Sequence, residues 1–237
     1  MKTYRGLAIA LSILFSWLLL LIFLLRLDWT AAPLLALGGF VLQTFLYTGL
    51  FITAHDAMHG TIVPFKPSWN TWLGSVSVFF YAFMWYPYLK DQHQYHHRYP
   101  ASEQDPDYHS EGKPGFFAWY LKFLLHYIRW WQVLGIAIVF NILHHLVGIP
   151  LGNLLLFWVV PSILSTFQLF YFGTFLPHRE TAEAFPDQHR ANSLNFGVFW
   201  SFLSCYHFGG YHHEHHLYPG TPWWLLPQKA PQVKIKR

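Results

Sequence analysis

Four long apolar runs dominate the hydrophobic pattern of the chain, and polar or turn-forming residues separate each run from the next. They cover residues 7–25, 31–54, 133–147 and 151–172. A helix needs about 20 predominantly apolar residues to cross a bilayer. The last two runs are joined by a tight turn at Gly148-Ile149-Pro150. The pattern therefore predicts an all-α protein with four transmembrane helices, the last two forming a hairpin.

Two further segments are apolar without being predicted spans. Residues 69–86 are rich in aromatic side chains, and residues 116–131 are amphipathic, with Lys122, His126 and Arg129 among Trp and Phe. The second pattern is typical of a helix lying in the membrane interface. Residues 98–115 are polar and turn-rich, and we expect a loop there. From Gly173 onward the chain is polar enough to lie outside the membrane, and we treat residues 1–237 as a single domain.

Composition supports membrane insertion. The chain of 237 residues is 54% hydrophobic and only 11% charged, against about 25% charged in ordinary soluble domains. Lys2 and Arg5 before the first run resemble a signal peptide, but 19 apolar residues exceed a signal core and no cleavage site follows. We therefore expect a retained helix.

One cysteine, Cys205, excludes disulfides and Cys-x-x-Cys metal sites within the chain.

The 16 histidines are the compositional anomaly, because half of them fall into three short boxes. Residues three and four apart share one face of a helix, so each box can present its imidazoles together as metal ligands. Eight imidazoles exceed the needs of one metal, whereas two metals with four or five ligands each can use them. A donor set of histidines without thiolates suits iron, zinc or copper, and the sequence does not choose among these. The boxes are H-x-x-x-H at His55 and His59, H-x-x-H-H at His93, His96 and His97, and H-x-x-H-H at His212, His215 and His216.

Several neighbouring residues are candidates for the same site. His178, where the last span emerges, is a candidate ninth ligand, and His207 is a ligand, a hydrogen-bonding neighbour or a plain polar residue. Metal-bound histidines usually donate their second N–H to a carboxylate or carbonyl. Side chains expected around the ligands are Asp56, Asp91, His207, His213 and Glu214, with Asp105 and Asp107 as further possibilities; for the acids, a solvated surface position is the alternative.

The number of membrane crossings and the distribution of charge predict on which side of the membrane the histidine boxes lie. If the three boxes form one site, residues 69–86 cannot simply cross once, so that segment is re-entrant or interfacial. In the four-span arrangement 14 of the 15 Lys and Arg lie on the histidine side, and only Arg26 lies opposite. The positive-inside rule then puts the metal site on the cytoplasmic face. This cationic face suits an acidic electron carrier, although topology and lipid contact explain it equally.

Other classes of function find little support. The chain has no G-x-G-x-x-G or Walker loop and no Gly-x-Ser-x-Gly elbow, and we expect no nucleic-acid partner. A metal transporter would place histidines within its spans to pass ions, whereas these boxes lie at the ends of spans and beyond them. Gly209-Gly210 is interpreted as a flexible entry to the helix of the third box.

The three boxes in this order resemble the membrane fatty acid desaturase superfamily. Four stretches are similar to one branch of it, the bacterial and cyanobacterial β-carotene ketolases: residues 51–61, 93–100 (HQYHHRYP), 172–179 (FGTFLPHR) and 206–227. Length and hydropathy agree over essentially the whole chain. The boxes by themselves specify the superfamily, and FGTFLPHR with the PWWLLP tail points to the branch.

This resemblance implies a di-iron oxygenase that introduces a 4-keto group on the β-ionone ring of β-carotene, giving echinenone and then canthaxanthin. It implies two Fe²⁺ ions held by the eight boxed histidines and His178, O2 as co-substrate, and electrons from an external carrier such as ferredoxin. The substrate would be dissolved in the lipid of a bacterial inner membrane or a cyanobacterial membrane. A membrane acyl-lipid desaturase or hydroxylase with the same metal core is the alternative.

Overall fold

The computed structural model describes residues 4–109, 115–181 and 184–232, and that part of the chain contains helices and no strand. Short π-helical turns interrupt two of the longer helices, and the described chain ends in 3₁₀ turns at Trp223–Gln228 and Ala230–Gln232. The helices are α1 Arg5–Leu24, α2 Pro33–Met58, α3 Pro67–Ala82, α4 Tyr86–Arg98, α5 Phe116–Tyr127, α6 Trp130–Leu146, α7 Leu151–His178, α8 Val198–Cys205 and α9 His212–Leu217.

Among the described residues, three helices are long and apolar enough to cross a membrane, not the predicted four. They are α1, α2 and α7. The predicted span 133–147 is part of α6, which is too short to qualify alone and is bent by 84° from α5; the two arms together make at most one further span. The α-helical hydrogen bonding of α6 stops at Asn141 and a π turn completes the helix. The interfacial prediction for residues 116–131 therefore covers only one arm of a broken helix pair.

The helix ends define two opposite ends of the bundle. At one end the Asn153 side chain donates hydrogen bonds to the carbonyl oxygens of Leu24 and Leu27, at 3.0 and 2.8 Å, which ties the start of α7 to the end of α1. At the other end α2 finishes at Met58 and α7 finishes at His178. We call the second end the histidine end, because the boxes cluster there.

The predicted re-entrant segment forms α3, which runs antiparallel to α2. Near the histidine end, Asn70 bonds the backbone of Val63; deeper in the bundle, the Tyr81 ring packs on Tyr47 at 5.9 Å. Phe83 adopts a left-handed conformation with φ 53° and ends the helix. Helix α4 then returns along α3, so close that a Cβ on Gly74 would lie 2.1 Å from the Tyr86 ring. This reversal agrees with a segment that enters and leaves on one side.

The predicted span 151–172 is part of the longer helix α7, which continues through a π turn to His178; Thr174 and His178 are buried. Helix α8 packs against two of the long helices. Gln168 of α7 donates to the carbonyl oxygens at the end of α8, and Phe202 packs against Phe45 of α2 at 5.3 Å.

Candidate metal centre

Nine histidines come together at the histidine end, in two groups. Within each group the candidate ligand nitrogens all lie within 4.8 Å of one another. Helix α2 contributes His55 and, directly after its last residue, His59; α4 and α9 contribute three each, and α7 one. The five-histidine group is His55, His59, His93, His97 and His215, and the four-histidine group is His96, His178, His212 and His216.

Each H-x-x-H-H box divides between the two groups instead of converging on one point. On α4, His93 and His97 are four residues apart and join the five-histidine group, while His96 joins the other. On α9 the division is reversed, since His212 and His216 belong to the four-histidine group and His215 to the five-histidine group. Side chains at positions i+3 and i+4 of a helix differ in direction. Each box can therefore place its histidines in two neighbouring groups.

Facing Nε2 atoms give these groups the geometry of ligand cages. The Nε2–Nε2 distances are 2.7 Å for His59 with His93, 3.0 Å for His97 with His215 and 2.8 Å for His178 with His212. Two imidazoles at a right angle on one metal, with bonds of about 2.1 Å, would hold their nitrogens about 3 Å apart. The arrangement therefore fits a pair of metal ions, and the absence of thiolate donors suits iron, zinc or copper.

Burial keeps these imidazoles in the neutral form that a metal requires. It lowers the pKa of His59 to about 4 and holds the pKa of His93 and of His97 well below the ordinary value, with neighbouring histidines adding to the effect. The same causes lower the pKa of His212, His215 and His216. Histidine binds a metal only when the ligand nitrogen is deprotonated. Little free energy is therefore needed to remove protons from these imidazoles before a metal binds.

His96 differs from the others because it has carboxylate partners. Its Nδ1 lies 3.0 Å from both carboxylate oxygens of Asp105 and 3.8 Å from Asp107. Burial alone would lower the pKa of His96, but the two carboxylates together raise it to about 9. Asp105 also accepts the Ala101 amide at 2.8 Å. Hydrogen bonding at Nδ1 orients the ring and leaves Nε2 for a metal.

His178, the candidate ninth ligand, lies inside the four-histidine group. Its Nδ1 donates to the carbonyl oxygen of Arg190 at 2.8 Å, and its Nε2 faces that of His212. The ring is also 4.7 Å from that of His96, between ring centroids. The carbonyl partner fixes its orientation as Asp105 does for His96.

The expected supporting acids are placed unequally. Asp56 is buried, lies 3.6 Å from His55 Nδ1, and accepts the Trp223 amide at 3.0 Å, so it links the first box to the C-terminal turn. Glu214 is buried and accepts a hydrogen bond from Ser193. Asp91 is exposed and has no hydrogen bond to the described histidines, because positions 91 and 93 lie on roughly opposite sides of α4.

The two remaining histidine candidates lie outside both groups. His213 donates from Nε2 to Asp187 at 2.9 Å, and its amide donates to Ser193 at 3.0 Å, so it anchors the loop before α8. His207 bonds Ser201 at 3.3 Å and lies among the rings of Phe202 and Trp223, away from the ligand nitrogens. Of the uses open to His207, the structure places it as a polar neighbour.

Glycine at position 210 serves close approach, not flexibility. A Cβ added to Gly210 would lie 2.1 Å from Ser201 Oγ, and its φ is not in the left-handed region. The tight turn before the third box therefore packs directly on α8. This corrects the interpretation of Gly209-Gly210 as a flexible entry.

Sequence reasoning missed the loop that covers the site. The carbonyl oxygen of Arg190 contacts His178 of the four-histidine group, whereas Asp187 and Ser193 contact His213 and Glu214 on α9. None of these three loop residues belongs to a box or to a recognisable spacing, and only the folding of residues 184–194 back over α9 brings them there. Asp105-Pro106-Asp107 carried a usable signal, since two acids flank a turn-forming proline shortly after the second box.

An apolar cavity of about 300 Å³ reaches the histidines from the side of the bundle. His55, His93, His96 and His212 form its inner end, and Val133 and Ile163, which are about half exposed, lie among its outer walls. From the aromatic segment 69–86 only Tyr81, Ala82 and Met84 contribute. Further walls are Phe51, Leu89, Tyr120, Phe123, Tyr127, Ile136, Leu169 and Phe208. An apolar molecule entering from a lipid phase would meet the histidines at the end of this cavity.

One polar pair stands in the cavity wall beside the histidines. Tyr127 donates its hydroxyl to Asp107 Oδ1 at 2.5 Å, and both residues line the cavity. Burial raises the pKa of Asp107 to about 6, although the nearby His96 opposes the rise. The pair joins the cavity wall of α5 to the loop that carries Asp105.

The sequence matches the family described as "Fatty acid desaturase" over residues 28–130 and 126–235. Among named proteins, it is 42% identical to a β-carotene ketolase of Paracoccus sp. strain PC1, over 95% of this chain and 92% of the relative. It is 39% identical to a zeaxanthin 4-ketolase of Chlamydomonas reinhardtii, over 94% of this chain and 52% of the relative. A dihydrorhizobitoxine desaturase of Bradyrhizobium elkanii is 27% identical over 79% of the chain. No solved structure matches.

Proposed function

We propose that this chain, which belongs to the fatty acid desaturase family and within it to the β-carotene ketolases, is a membrane oxygenase that converts the C4 methylene of a β-ionone ring into a ketone. β-Carotene is the proposed substrate, with echinenone and canthaxanthin as products. The observation that carries the proposal is the apolar cavity that ends at His55, His93, His96 and His212. A wholly apolar polyene suits such walls.

Two iron ions are the proposed cofactors. The five-histidine group would hold one ion and the four-histidine group the other, since their nitrogens are arranged as ligands. Burial favours the neutral form of ligands such as His93 and His216, whereas His96 is held by its carboxylate partners. When bound and reduced by an external carrier such as ferredoxin, the iron pair supplies the activation of O2. Two successive hydroxylations at C4 would give a gem-diol, and loss of water leaves the ketone.

The chain's own residues position the substrate and protect the chemistry. A ring end would lie in the cavity against the histidines, and the rest of the polyene would extend past Val133 and Ile163 toward lipid. Apolar walls exclude water, which protects a reactive site from side reactions. Asp105 orients His96, and the carbonyl oxygen of Arg190 orients His178. Fixed orientation of the groups around a substrate lowers the entropic cost of reaching the reactive geometry.

The remaining parts of the proposal concern location and partners. We propose a single membrane-embedded domain, with the histidine end at the cytoplasmic face of a bacterial inner or cyanobacterial membrane. Three helices of spanning length, together with the bent pair, are compatible with multiple crossings. The excess of Lys and Arg on that side agrees with this orientation and offers an acidic electron carrier a docking surface.

Conversion of β-carotene tests the function. The chain is expressed in bacteria engineered to accumulate β-carotene, and pigments are separated and identified by mass. Echinenone and canthaxanthin are expected. Folded protein with a suitable electron donor and an unchanged pigment profile would refute the ketolase function. New double bonds or hydroxyl groups in the membrane acyl chains would instead support the acyl-lipid desaturase or hydroxylase.

A further inference from the structure

The two orienting contacts of the four-histidine group are not independent of each other. His96 donates to Asp105 at 3.0 Å, and Asp105 accepts the amide of Ala101 at 2.8 Å. His178 donates to the carbonyl oxygen of Arg190 at 2.8 Å. One ligand is therefore held from the loop after α4, and the other from the loop before α8.

The Arg190 side chain joins these two loops. The Arg190 guanidinium donates from Nη1 to the carbonyl oxygen of Ala101 at 3.0 Å. The hydrogen bonds now form a continuous path from His96 through Asp105, Ala101 and Arg190 to His178. The imidazoles of His96 and His178 also contact each other directly, with ring centroids 4.7 Å apart. The two ligands are therefore connected both directly and through the two loops.

Both loop residues that meet in this bond have an unusual backbone. Ala101 has φ 48° and Arg190 has φ 44°, which is the left-handed region. Residues other than glycine, asparagine and aspartate rarely adopt it. Such strained positions persist only where the surroundings impose them, and they cluster at functional sites. Here the strain aims the Ala101 carbonyl at Arg190 and the Arg190 carbonyl at His178.

We propose that Arg190 is a positioning residue for the metal ion of the four-histidine group. Its backbone carbonyl orients His178, and its guanidinium holds that carbonyl in register with the loop that orients His96. This inference rests on the proposed di-iron function. Breaking the Arg190–Ala101 bond loosens two of four ligands of one ion and none of the five ligands of the other. The consequence is selective loss of one ion.

Three variants separate this role from general effects of the substitution. Arg190→Asn removes the guanidinium but tolerates the left-handed backbone, so the carbonyl that His178 uses remains available. Arg190→Lys keeps a donor for the single bond to Ala101. Arg179→Asn is the matched control, because Arg179 is also exposed and adjoins His178. Its side chain lies over the Phe175 ring at 5.7 Å and makes no hydrogen bond to the two loops within the described residues.

Iron per chain is measured on purified protein, together with the electron paramagnetic resonance spectrum of the oxidised form. Wild type and Arg179→Asn are expected to keep two ions. Arg190→Asn should fall toward one ion per chain, because loss of an orienting contact typically costs about 10- to 100-fold in metal affinity and only one of the two ions is affected. A lone ferric ion gives a high-spin signal that a coupled pair lacks, so this signal should appear. Arg190→Lys should regain most of the lost iron.

Two ions in Arg190→Asn, or equal loss in the Asn and Lys variants, would overturn the positioning role. Equal loss in Arg179→Asn would do so as well, since charge removal near His178 would then suffice. Wild-type protein that binds no metal would overturn the proposed function first, and the inference with it.

Discussion

The Nδ1 of His96 donates to the carboxylate of Asp105 at 3.0 Å, across nine positions of the chain. The turns between α4 and Asp105, with Ala101 at φ 48°, bring this acid back to the helix that carries the second box. Since imidazole can bind a metal through only one nitrogen while the other is held, this contact assigns Nε2 of His96 to the four-histidine group. It also joins the ligands to Asp107 and the cavity wall.

Replacing Asp105 by Asn should weaken the metal site. The amide keeps the size of the side chain but loses the charge that holds His96, and loss of such partners typically costs about 10- to 100-fold in metal affinity or activity. Asp91→Asn is the matched control, because Asp91 is exposed on the opposite side of α4. Iron content and β-carotene conversion are measured for both. Normal iron in Asp105→Asn would show that His96 needs no carboxylate.

One ligand from each histidine group provides a direct test. His93→Ala and His216→Ala should each reduce conversion by more than the roughly 100-fold upper range known for orienting partners, because a ligand itself is removed. His145→Ala should remain active, since His145 is exposed on α6 away from both groups. The ketone yield per folded protein gives the comparison. A fully active His216→Ala protein would refute the ligand assignment.

The cavity entrance can be narrowed without touching the histidines. Val133 lines the cavity and is 58% exposed, so Val133→Trp should hinder entry of the ring and lower conversion by roughly 10- to 100-fold, as small misplacements of a substrate do. Ile138→Trp changes the same helix at a residue that is 50% exposed and outside the cavity lining. Iron content should be unchanged in both. Equal conversion by the two variants would place the substrate elsewhere.

Gly210 tests the packing beneath the third box. Gly210→Ala would put a methyl group 2.1 Å from Ser201 Oγ, and overpacking of this kind costs about 1–3 kcal/mol. Gly38→Ala meets nothing within 4 Å and should stay within about 1 kcal/mol of wild type. Thermal unfolding in detergent and iron content are compared. A Gly210→Ala protein as stable and as iron-rich as Gly38→Ala would show that α8 can shift at no cost.

Several features were predictable because they depend on local periodicity. The long apolar runs indicated α1, α2 and α7, and the box spacings predicted helices for the boxed histidines; His59 is the exception, since it directly follows the last residue of α2. Placing the three boxes on one side required residues 69–86 to turn back, and α4 returns along α3. The span at 133–147 was wrong, because hydropathy counts apolar residues but does not register the 84° bend or the π turn that limits α6.

Histidine spacing predicted which side chains would cluster, since spacing along a helix depends only on the chain and the geometry of the helix. The tertiary structure set how these histidines are distributed between the two groups. It divided each H-x-x-H-H box between two groups, left Asp91 in solvent and brought Asp105 under His96. It also joined Arg190 to Ala101 across 89 positions. Contacts between distant segments depend on how helices pack and loops fold over them, and no local pattern records that.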